Sequence, residues 1–239
     1  NDKMRLGQAA MEALQAEICG LLTPGNELVV AGAVALEGTV QIAKMKHDIL
    51  RAHFSESFLR NAGELRAVYG TVGENDDSCM LPGNREDCCG EPPAAGGKRS
   101  APVIEKVEGC AAWKAAEAAG ATALYAMGEG GFLSALWKMA EASQVGLEMD
   151  FTKVPIRQET IEICEIFDIN PYKLNARGAI LIGIPAGEAL VQELHRQGMM
   201  AAVIGQTNDG NDRMLYYNGN GRYLERPAKD EIYKVLCEK

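Results

Sequence analysis

No run of apolar residues in this chain is long enough to cross a bilayer, and its first residues lack the basic-then-apolar pattern of a secretory leader, so a cytoplasmic location is the expectation. Positive charge is also in deficit: 24 Lys and Arg stand against 33 Asp and Glu, a net charge of −9. A surface of that sign repels nucleic-acid phosphates and anionic lipid, which argues against both as partners. The familiar catalytic signatures are missing as well. There is no Gly-x-Gly-x-x-Gly or P-loop lysine, and no Ser-His-Asp or Cys-His grouping at a recognisable spacing. The 3 histidines, His47, His53 and His195, fall on amphipathic patterns beside Lys or Arg and read as surface residues.

What is present is ample material for a core. With 239 residues, 47% of them apolar, the chain reads as one domain carrying an appended helix and an insertion. Residues 1–20 form the appended segment, patterned as a single helix by Met4, Leu6, Met11, Leu14 and Ile18. Strands are predicted at Glu27–Ala31, Thr122–Ala126, Gly146–Phe151, Gly178–Ile184, Met200–Gly205 and Arg213–Tyr217. Helices are predicted at Thr39–His53, Cys110–Ala119, Phe132–Ser143, Gln158–Phe167, Glu188–Gln197 and Ala228–Leu236. This alternation predicts an α/β fold, an α+β sandwich with one sheet covered by helices.

The most informative stretch is Glu129 to Ser143, where Gly130-Gly131 opens the amphipathic run Phe132-Leu133-Ser134-Ala135-Leu136-Trp137-Lys138-Met139. A glycine pair lets backbone approach a ligand closely, and a helix starting there directs unpaired N–H groups and its positive dipole end outward. That geometry suits an anion. An ordinary turn before a helix has the same sequence.

The run from Gly130 to Ser143 resembles the C-terminal domain of the aminoimidazole ribonucleotide synthetase superfamily, which includes selenophosphate synthetase, thiamine monophosphate kinase and a hydrogenase maturation factor. The resemblance extends to Leu28–Thr39, with its Leu36-Glu37-Gly38-Thr39 turn, and to Ile166–Leu174, Gly178–Gly183 and Glu188–Gly205. It ends in the tail Asp230-Glu231-Ile232-Tyr233-Lys234-Val235-Leu236. It covers residues 21–69 and 103–236 in order, and it implies a mixed sheet within a domain spanning 21–239.

The departures from the family carry the functional expectation. The family places a His-Asp-hydrophobic-Thr run before the glycine pair to hold phosphate or substrate; here those positions are Tyr125, Ala126, Met127 and Gly128. A later Ser-Gly turn reads Asn175-Ala176-Arg177-Gly178. Relatives also carry an N-terminal domain that supplies acidic magnesium ligands and much of the nucleotide site, whereas only Asn1 to Gly20 precede the matching region here. The expectation is therefore a degenerate, non-catalytic domain that binds a ligand or protein partner in cofactor or metallocentre assembly, with no ATP or magnesium bound by the isolated chain. The alternative is one half of a split ATP-dependent enzyme completed by another subunit. The resemblance further implies that a dimer or a protein partner covers the face where the missing domain would pack. Candidate ligand-binding residues are Glu129, Gly130, Gly131, Arg177, Gly178, Glu37, Gly38 and Thr39. Glu37 and Glu129 can accept hydrogen bonds or equally cap helices, and a guanidinium at Arg177 suits a phosphate or carboxylate.

Residues 70–102 are rich in Gly, Pro and acid and read as a long loop, largely an insertion relative to the family. Cys79, Cys88 and Cys89 lie within it, close enough to ligate a soft metal or an iron–sulfur cluster or to form a redox disulfide, although no Cys-x-x-Cys spacing is present. Reduced thiols in a surface loop are the other reading. Cys19, Cys110 and Cys164 are predicted on apolar helix faces. Cys237 has a precedent in the terminal thiol of the maturation factor, but Leu236-Cys237-Glu238-Lys239 does not reproduce that factor's tail, and the role is not expected here.

Overall fold

The computed structural model describes residues 6–71 and 110–237. Its centre is strand β2 (Glu27–Ala31), which runs antiparallel to β5 (Ile180–Ile184) on one side and to β6 (Ala201–Asn208) on the other. Val29 lies opposite Ile182 and Val203 in the two ladders. Around these strands β1 (Cys19–Gly20), β3 (Ala123–Ala126), β4 (Gly146–Asp150), β7 (Arg213–Tyr217) and β8 (Asn220–Tyr223) complete an 8-stranded sheet in the order β1-β3-β5-β2-β6-β4-β7-β8. The pairing of β4 with β7 is parallel and every other pairing is antiparallel, so the sheet is mixed as expected.

The apolar runs Leu28–Ala31 of β2 and Ile180–Ile184 of β5 fit strands covered on both faces. Alternate side chains leave a strand on opposite sides. Leu28, Val30 and Leu181 therefore join Phe132, Leu136 and Met139 of α6 (Gly131–Ser143), with Leu14 of α1 (Gln8–Ala16) packed against that cluster. Val29, Ala31, Ile180 and Ile182 join Trp113 and Ala116 of α5 (Ala111–Ala118) and Leu190 and Leu194 of α8 (Gly187–Arg196) on the other face. A third cluster belongs to a helical layer of α2 (Leu36–Met45), α3 (His47–Leu50), α4 (Glu56–Tyr69), α7 (Gln158–Ile166) and α9 (Ile232–Cys237). There Ile42, Leu50, Leu59, Ile163, Leu174 and Val235 meet.

Several elements differ from expectation. The N-terminal helix stops at Ala16, because Ile18 turns into the core and Cys19 with Gly20, the latter at φ +74°, forms a short edge strand against β3. Cys19 is consequently exposed on that strand instead of lying on an apolar helix face, and Cys110 is a half-buried N-cap whose Sγ accepts the Trp113 N–H at 3.4 Å. Cys164 is buried as expected, and burial pushes its thiol up to about 12. The helix expected at 39–53 begins earlier and breaks at Lys46 into α2 and α3. Helix α4 was not anticipated; the Ser55 hydroxyl caps it by accepting the Phe58 N–H at 3.3 Å, and Leu59, Ala62 and Leu65 are its buried stripe. Strand β8 was likewise unforeseen, and the last helix starts at Ile232 instead of Ala228. The loop cysteines Cys79, Cys88 and Cys89 lie outside the described residues.

Candidate functional site

The ends of β2 and β3 and the start of β5 share one edge of the sheet, since Ala31 and Ala126 both pair with Ile180. The glycine turn leaves that edge. Gly130 and Gly131 both adopt left-handed conformations, with φ of +83° and +73°, and α6 follows directly. The Gly130 N–H donates at 2.7 Å to Oδ2 of Asp230, a residue 3% exposed. The other carboxylate oxygen of Asp230 accepts the Ile232 N–H at 2.9 Å. One buried carboxylate thus closes the start of α6 and steadies the start of α9.

Burial raises the Asp230 carboxyl above its ordinary range; bonds from Ile232, Gly130 and Asn175 oppose that shift, and nearby Glu129 adds to it. A group raised in the folded state contributes stability that is complete below its unfolded pKa and fades as pH climbs through the folded one. As pH climbs above about 4, the native protein is therefore expected to lose melting temperature relative to Asp230→Asn. Parallel thermal melts check this, and a difference that stays constant with pH contradicts it.

The segment 171–178 is wedged between the two glycine turns. Gly128 O accepts the N–H groups of Ala176 at 3.0 Å and Gly131 at 3.2 Å, while Asn175 O accepts the Gly38 N–H at 3.0 Å. Gly38 faces the Leu174 side chain and Gly131 faces the Leu174 backbone. Arg177 is half-buried, and its N–H donates to its neighbour Asn175 Oδ1 at 3.0 Å. Gly178, at φ +100°, offers its carbonyl to the Thr71 N–H at 2.8 Å. The structure therefore gathers Gly38, Gly130, Gly131, Arg177 and Gly178 around one strap.

The remaining candidates face elsewhere. Glu37 is buried and accepts from Arg66 Nη1 at 2.7 Å and Gln41 Nε2 at 2.9 Å. The fully buried Thr39 hydroxyl donates to Ala35 O at 2.8 Å and lies 2.9 Å from Thr160 Oγ1. Glu129 is exposed and accepts from Tyr233 Oη at 2.9 Å. Tyr125, first of the four divergent positions, accepts from Lys138 Nζ at 3.2 Å, and that amine reaches Glu17 Oε2 of the N-terminal segment at 3.0 Å. Burial pushes the Tyr125 phenol up against the pull of Lys138. No three His, Cys, Asp or Glu side chains among the described residues are grouped to hold a metal.

A pocket the sequence did not disclose lies beside the start of α6. It is open to solvent and lined by Gly130, Ser134, Lys173, Leu215, Arg222 and Arg226. Its cations come from two distant segments, so no local motif announces it. The Ser134 position one turn into the helix was the available signal.

Comparison with known proteins adds ancestry to this geometry. Residues 95–218, just over half of the chain, match the family model described as AIR synthase related protein, C-terminal domain. Carbamoyl dehydratase HypE of Rhodobacter capsulatus is 27% identical over 127 residues, which is 50% of this chain and 37% of that protein. Among solved structures, hydrogenase maturation protein HypE in complex with ATP superposes with a TM-score of 0.56 at 15% identity, covering 89% of this chain and 53% of that one. A HypE–HypF complex gives 0.54 at 16% identity, covering 86% of this chain and 54% of that one. The chain thus spans only about half the length of the HypE structures, and less of the dehydratase.

Proposed function

We propose, from the premise that this chain belongs to the AIR synthase related family through its C-terminal domain, that it is a non-catalytic member which binds a ligand or protein partner during cofactor or metallocentre assembly. The observation that carries this reading is the Asp230 contact. The N–H that would meet an incoming anion at the Gly130-Gly131 turn already donates to the chain's own carboxylate. Ahead of that turn, Tyr125 is bound to Lys138, and Ala126, Met127 and Gly128 offer no acid, base or metal ligand. The site retains a framework for binding without groups to activate a phosphoryl transfer.

HypE is the relative that gives the assembly pathway its chemical setting, and one HypE has been captured with HypF. A protein partner on this domain fits that precedent, and so does a second copy of the chain. No helix among the described residues is long and apolar enough to cross a membrane.

The purified chain is expected to show no magnesium-dependent ATP hydrolysis above a buffer blank in a phosphate-release assay. Turnover by the chain alone would overturn the proposal. A second reading, a split enzyme, draws support from the half-length coverage of the HypE structures. It requires that a separate subunit bearing the acidic magnesium ligands restore hydrolysis when mixed with this chain.

A further inference from the structure

We propose that α1 is a latch: Gln8–Ala16 swings off α6 as one unit while the rest of the domain stays folded, and the Lys138 ammonium is the catch that holds it shut. The inference goes beyond the binding-domain reading and stands whether or not the domain is catalytic. The first observation is how little α1 gives to the core. None of its nine residues is buried, whereas α6, on which it lies, buries Phe132, Leu136, Met139 and Ala142 among others. Only Met11, Leu14 and Gln15 are half-buried, and of these Leu14 packs against the cluster beneath. Nor does α1 hold itself together. Nine residues fall short of the roughly 12–15 that a helix needs alone in water. Gly7 supplies no side-chain cap, and neither an acid in the first turn nor a base in the last meets the dipole. Its folded state therefore depends on what clasps it.

The second observation is the clasp. Besides Leu14, two polar tethers reach α6: Gln15 Nε2 donates to Ala142 O at 3.0 Å, and Lys138 Nζ donates to Glu17 Oε2 at 3.0 Å. The ion pair is 28% exposed at Lys138 and 41% at Glu17, so water and salt weaken it. Lys138 is also held from the domain side, since it donates to Tyr125 Oη at 3.2 Å. The catch is thus in place on α6 before α1 arrives, and only the Glu17 side has to let go.

The third observation is the hinge. Directly after Glu17 the chain is anchored: Ile18 is 7% and Leu22 3% exposed, Cys19 and Gly20 pair with β3, and the Leu22 N–H donates to Ser143 Oγ at 2.8 Å. The change from unburied to fixed backbone falls between Glu17 and Ile18, so releasing α1 breaks no strand pairing. Small units with few buried contacts open in this way without global unfolding. Open, the latch frees the Lys138 ammonium, beside Tyr125 on the strand that leads into the glycine turn; closed, Glu17 neutralises it.

Hydrogen–deuterium exchange of the full chain, read by mass spectrometry, tests this. Peptides covering Gln8–Ala16 are expected to exchange at least about a hundredfold faster than those covering Gly131–Ser143 and Ile180–Ile184. Lys138→Met, which keeps the apolar stem and removes the charge, should speed α1 a further two- to fivefold or so and leave Ile180–Ile184 unchanged. Glu17→Gln, which leaves the Tyr125 contact in place, should do the same from the other side of the pair, and so should high salt. Acylation of Lys138 by an N-hydroxysuccinimide ester should rise in Glu17→Gln as well. An α1 protected as strongly as α6 overturns the proposal. So does an α1 rate that Glu17→Gln leaves at the native value, or a Glu17→Gln variant that speeds every segment alike. If Lys138→Met loosens the whole domain through Tyr125, the Glu17→Gln result decides.

Discussion

Replacing Asp230 with alanine is expected to lower the unfolding free energy by about 2–4 kcal/mol, read from urea denaturation at neutral pH. The residue is 3% exposed, and its two oxygens accept from Gly130 at 2.7 Å and Ile232 at 2.9 Å. Alanine removes both acceptors at once and leaves donors without partners at the first turns of two helices. Each orphaned buried donor costs about 1–3 kcal/mol. Losing an N-cap alone costs about 1 kcal/mol. Asp230→Asn keeps one acceptor but turns an amide NH₂ toward the other donor, so it should fall between alanine and the native residue. An alanine variant within about 0.5 kcal/mol of native would show that the carboxylate is dispensable and would remove the observation on which the proposed function rests.

Gly131→Ala is expected to cost about 2–5 kcal/mol, through two effects that add. At φ +73° an L-residue pays about 1–2 kcal/mol for the left-handed conformation. The new methyl would also lie 2.7 Å from the Leu174 carbonyl oxygen and 2.8 Å from its nitrogen, distances that no side-chain rotation can relieve. The strap at 171–178 must then move, and overpacking of this kind adds about 1–3 kcal/mol. Since Asn175 O holds the Gly38 N–H, the shift would pass to the second glycine turn. The melting temperature should therefore fall. A stable variant would mean that the strap yields easily.

The parts of the fold that were legible in the sequence are those whose signal is local. Glu27–Ala31 and Arg213–Tyr217 have the predicted bounds because each is a short apolar or aromatic run between breakers. Helix α6 was legible from a glycine pair followed by helical periodicity. Helix α4 was not, because only Leu59, Ala62 and Leu65 are fully buried on its inner face while apolar Val68 lies exposed and blurs the pattern. Strand β8 is exposed at every position and offers no alternation to detect.

The candidate site divides in the same way. The glycine turns announced themselves, and the structure brings them together on one strap. What fills the space around them comes from far along the chain: Asp230 lies 100 residues from Gly130, and Arg222 and Arg226 meet Lys173 and Ser134 only in the folded state. Glu37 looked like a ligand because it sits beside a glycine. Its partner Arg66, on the unanticipated helix, holds it in an ion pair that the sequence did not disclose.

The strand order also bears on how the chain comes off the ribosome. The central segment Glu27–Ala31 is made well before β5 and β6, the strands that flank it. Such distant pairings slow folding, and an apolar β-prone segment waiting without neighbours is prone to pair with another chain. During synthesis, Leu28-Val29-Val30-Ala31 must stay sheltered until Ile180–Ile184 emerges, which makes this strand the most vulnerable part of the nascent polypeptide.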